Sequence, residues 1–60
     1  MTREQIIATL RQIRERTERF RDTTRLHKSL SPQQRLAALT QCKVEIDALD
    51  YAINALRSIH

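Results

Sequence analysis

The sequence predicts an all-α protein: an antiparallel two-helix hairpin that assembles as a dimeric four-helix bundle or docks on a partner. Three observations carry this. Glycine is absent and Pro32 is the only proline, so strand turns and phosphate-cradling loops, which depend on glycine's positive φ, have no raw material. Two long stretches carry apolar residues at alternating spacings of three and four, the period of a helix with one buried face. A single strong break, Ser29 to Gln34, separates them.

The first helix is expected over about residues 2–27. Thr2 and Gln5 have capping-box spacing, and Glu4 sits where the positive end of the helix dipole favours an acid. Ile6, Leu10, Ile13, Thr17, Phe20 and Thr24 then fall on one face as the expected core line. A turn is expected at about 28–31. The second helix, about 32–59, opens with Ser31 as N-cap, Pro32 at the first helical position and Gln34 completing a second capping box. Its core line is Leu39, Cys42, Ile46, Leu49, Ile53 and Leu56. Each helix would run to roughly 25 residues, or about 37 Å, and equal lengths joined by a short turn favour an antiparallel pair forming one domain over 1–60.

The second helix carries more apolar surface than one neighbour can cover. Val44, Ala48, Tyr51 and Ala55 form a stripe opposite its core line, Ala52 and Ile59 widen the apolar surface, and Lys43, Asp47, Asp50, Asn54 and Arg57 make a polar wedge. The stripe is the expected self-association or partner face. Symmetric dimers are the commonest oligomers, and a four-helix bundle of two hairpins is the expected way to cover it.

Charge supplies the second candidate. The net charge is +4, and all of it lies in the first half: eight Arg or Lys against four acids up to Leu30, then three against three. Nine of the eleven cations are arginine, which favours forked contacts to phosphate or carboxylate. In a hairpin, Arg11 and Arg14 come level with the acids Glu45, Asp47 and Asp50 and are expected to be neutralised there. Arg21, Arg25, Lys28 and Arg35 gather at the turn end, with Asp22 the only acid expected beside them, as the candidate site for an anionic partner.

Several chemistries lack the residues they need. Cys42 is the lone cysteine, and with His27 and His60 it completes neither a disulfide framework nor a zinc site. It continues the core line, so a buried inert thiol is expected rather than a nucleophile. His60 reads as a helix-end cation. Asp47 and Asp50 share a solvated flank with nothing to separate their pKa values for acid and base work. No catalytic residue, cofactor, metal or small-molecule substrate is expected, nor is a membrane, since no apolar run is long enough to span a bilayer. The amino end opens into a patterned helix rather than a signal peptide, which makes the cytoplasm the expected compartment.

The functional expectation is therefore a small non-enzymatic interaction protein, acting stoichiometrically as a regulator, inhibitor or adaptor. Its expected partners are a second copy, a larger protein, or both. The alternative is a dimeric helical-hairpin protein that binds RNA or DNA through the arginine-rich stripe.

Overall fold

A computed structural model describes residues 1–59, and the role expected for His60 lies outside them. Two helices account for most of the chain: α1, Arg3–Leu26, and α2, Pro32–Ser58. They pack against each other along their length and run antiparallel. Among the described residues there is no strand, and no helix is long and apolar enough to cross a membrane.

Both expected capping boxes form. Thr2 Oγ1 accepts from Gln5 N at 3.1 Å, and Gln5 Oε1 accepts from Thr2 N at 2.9 Å. Ser31 and Gln34 repeat the exchange, at 3.1 Å in both directions. Each box satisfies amide donors that a helix start leaves without a partner, which is why the helices begin where they do.

The chain reverses over residues 27–31 without any positive φ. In place of the left-handed glycine that commonly closes a helix, His27 N donates to Thr24 O at 3.2 Å. A side chain from the next helix completes the closure: Arg35 Nη2 donates to His27 O at 2.8 Å and reaches Leu30 O at 3.5 Å.

Among the described residues the buried ones are few: Cys42, Ile46 and Ile53 from α2, with Thr17 and Thr24 from α1. The buried Thr17 hydroxyl donates to Ile13 O at 3.0 Å, so burial does not strand it. Ile6, Leu10, Ile13, Leu39, Leu49 and Leu56 are half-buried along the seam. A compact domain of this length would have a radius of gyration of about 10 Å, whereas the hairpin's is 14.1 Å, with a long axis of 46 Å. Elongation at this size leaves each helix covered on one side only.

One core assignment is corrected. Phe20, expected in the α1 core line, is 59% exposed. The inward line runs Leu10, Arg14, Thr17, Arg21, Thr24, and Arg21 takes the place the 3–4 pattern offered equally to Phe20. Arg21 lines one cleft with Leu39 and Ile46, while its guanidinium reaches Asp22 at 3.2 Å. Long cationic side chains often cover apolar surface in this way.

Candidate interaction surfaces

Residues on α2 advance by about 100° each, so the buried Cys42, Ile46 and Ile53 define its inner side. Val44, Ala48, Tyr51 and Ala55 stand on the outer side, all exposed; Tyr51 is 78% exposed and Val44 57%. Ala37 lies on the same outer line, one heptad before Val44, and is exposed too. The stripe thus runs most of the length of α2 without a charged residue on it.

The hairpin's two flanks differ sharply. On one, Arg14 is fixed between helices: its Nε donates to Asp50 Oδ1 at 2.7 Å, and its Nη1 donates to Glu18. The Asp50 hydrogen bond, ahead of the attraction of both carboxylates, raises the guanidinium's pKa above its ordinary value, against a smaller opposing cost of burial. Arg11, Glu15, Asn54 and Arg57 border the same region. Nearer the turn, Arg21, Arg25, Lys43 and Asp47 line an open cleft of about 600 Å³ together with Leu39, Thr40 and Ile46.

The opposite flank is nearly free of charge. Phe20 stands there beside Ile13, Arg16, Thr17 and Glu45. By helical advance, Gln41, Ala48, Ala52 and Leu56 continue it along α2, and Ile6, Thr9 and Thr23 along α1. Arg16 and Glu45 are its charged residues, and no ion pair holds either of them among the described residues. Glu45 accepts only a neutral hydrogen bond, from Gln41 Nε2 at 3.3 Å.

The four cations expected as an anionic-partner site do not converge. Arg21 and Arg25 share the cleft, and both also reach one carboxylate, Asp22, at 3.2 and 3.9 Å. Lys28 is exposed in the turn. Arg35 is turned to the His27 and Leu30 carbonyls, and its buried Nε has no partner. Two residues join the cleft that sequence spacing did not bring there: Lys43, which adds a cation, and Asp47, which adds an acid. Arg14 lying level with Asp50 already gives the register that sets Lys43 opposite Arg21, so the hairpin geometry contained that signal.

Cys42 is 2% exposed and unpaired. Among the described residues no group of three His, Cys, Asp or Glu side chains is gathered to hold a metal ion.

No protein-family model, curated protein or solved structure matches the chain. The functional reading therefore rests on the residues and their geometry.

Proposed function

We propose that this chain is a small non-enzymatic interaction protein that acts stoichiometrically, as a regulator, inhibitor or adaptor, by docking the outer stripe of α2 on a larger protein. The carrying observation is the exposure of Tyr51 and Val44 among alanines on a face that α1 does not reach. An aromatic anchor flanked by small side chains suits helix-in-groove docking, where anchors at three- and four-residue spacing enter a cleft. Self-association into a four-helix bundle belongs to the same reading, since a hairpin with so small a core gains stability from a partner.

A photo-crosslinking residue at position 51, compared with one at Arg19 on the outer side of α1, tests the docking face in the cell that makes the protein. Under this reading position 51 gives a discrete adduct with one larger protein and position 19 does not. Equal, diffuse labelling from both positions would remove the docking face.

The nucleic-acid reading has one supporting observation, the cleft that gathers Arg21, Arg25 and Lys43. Asp22 and Asp47 border the same cations, and no exposed aromatic side chain lines the cleft for base stacking. These make it the weaker reading.

A further inference from the structure

In a four-helix bundle each hairpin meets its partner through a flank, because the side of a helix opposite its hairpin neighbour points outward. The outer stripe of α2 is therefore not the surface that a second hairpin covers. We propose that a second copy of the chain seats on this nearly charge-free flank, with Phe20 of each copy packed against Ala48 of the other and Arg16 of each copy paired with the other's Glu45. This rests on the self-association part of the reading above and names its surface and contacts.

Charge selects a second copy over a foreign helix. The flank presents one cation and one anion on opposite helices, neither held in an ion pair among the described residues, on a surface otherwise free of charge. A two-fold axis along the hairpin lays α1 of one copy over α2 of the other, with both turns at the same end. Since Arg14 lies level with Asp50, Arg16 then falls within about one turn, roughly 4.5 Å along the axis, of the opposing Glu45, and symmetry makes the pair twice. The opposite flank, crowded with both signs and already paired through Arg14, offers no comparable fit.

The area suffices. Two helices side by side are about 20 Å wide with their side chains, so a flank along a hairpin of 46 Å offers on the order of 900 Å² per copy, against about 800 Å² in an ordinary stable interface. The small Ala48 side chain gives the Phe20 ring room, and the ring's 59% exposure is what a second copy would remove.

The test uses two single variants of the full chain, Arg16→Glu and Glu45→Arg, alone and mixed, with mass by sedimentation equilibrium and helicity by circular dichroism. The wild type is expected at twice its 7.1 kDa chain mass at tens of micromolar. Each variant alone sets like charges against each other twice, and its dissociation constant should rise at least tenfold. The equimolar mixture restores both pairs across the interface and neither within a chain, so it should form a heterodimer of near wild-type affinity. A wild-type monomer overturns self-association altogether. A wild-type dimer whose mass neither variant changes, or a mixture that stays dissociated, overturns this surface while leaving self-association standing.

Discussion

Arg14 in α1 donates from Nε to Asp50 Oδ1 in α2 at 2.7 Å, and its Nη1 meets Glu18 one turn along its own helix. This cross-helix ion pair fixes which residues of α1 stand level with which of α2. Both partners are partly solvated, with side chains 36% and 46% exposed, so the pair's value lies in register more than in stability. Asp50→Asn should lower the melting temperature only slightly. Its pH signature follows from the sign of the shift: Arg14 is held protonated above its ordinary pKa, so its contribution is complete below that value and fades only as pH rises through the folded one. Melting curves of wild type and Asp50→Asn between about pH 6 and 9 should therefore stay a constant interval apart as far as Arg14 is concerned. An interval that closes within that range would mean Arg14 is not held as the structure has it.

Ile53 is one of three buried apolar side chains among the described residues. Truncating such a residue costs about 2–5 kcal/mol, comparable with the roughly 3–5 kcal/mol that a core in a chain this short supplies. Ile53→Ala should lose most of its helical circular dichroism at 25 °C. Ala48→Arg, on an exposed position, should keep its helicity and lose assembly, since its guanidinium would stand where the outer stripe meets the uncharged flank. Equal loss of helicity in the two variants would erase the distinction between core and docking surface.

Cys42 at 2% exposure should label slowly with an aromatic disulfide reagent under native conditions and at once in denaturant. Labelling at the denatured rate in buffer would mean that the hairpin seam is open in solution.

The turn holds through side chains rather than through glycine. Ser31→Ala removes the acceptor for Gln34 N and should cost about 1 kcal/mol. Arg35→Gln gives up the His27 carbonyl and should cost a similar amount, on the order of 1 kcal/mol. Chemical denaturation measures both. A neutral Arg35→Gln would free that arginine for an external partner, contrary to the contact that engages it.

Much of this fold is legible in the residues. Capping boxes at Thr2 and Ser31, with Pro32, place both helix starts because they are local devices that need no tertiary context. Burial of Cys42, Ile46 and Ile53 follows from the α2 pattern, which is apolar enough to be unambiguous. Phe20 is where periodicity misleads, since lines of 3–4 and 4–3 spacing diverge by one residue after Thr17 and hydrophobicity favours the wrong branch. Only the rotation of α1 in the folded hairpin, which half-buries Arg21 and exposes Phe20, decides it. The outer stripe of α2 is legible, but the joint flank is not, because it is assembled from two helices whose relative rotation the sequence leaves open. Arg35 escaped for another reason: without glycine the turn recruits an arginine for its carbonyls, and charge counting cannot see that engagement.

The arginines of α1 divide by their surroundings, and the division can be measured. Arg11→Gln with Arg14→Gln and Arg21→Gln with Arg25→Gln remove the same formal charge and keep helix propensity nearly constant. Arg14 is already committed to Asp50 and Glu18. Arg21 and Arg25 instead share the carboxylate of Asp22 and line a cleft with Lys43 and Asp47, so three cations face two acids there and more cationic charge is left for an outside anion. On a sulfated-polysaccharide column the second double variant should elute at lower salt than the first, with circular dichroism confirming that both stay folded. If retention is governed by cation contacts, its loss should appear as a smaller dependence on the logarithm of salt, by about one for each anionic contact removed. Co-elution of the two variants would show that net charge alone holds the protein to a polyanion. The turn-end cluster would then be a solvated face, leaving the apolar surfaces to carry recognition.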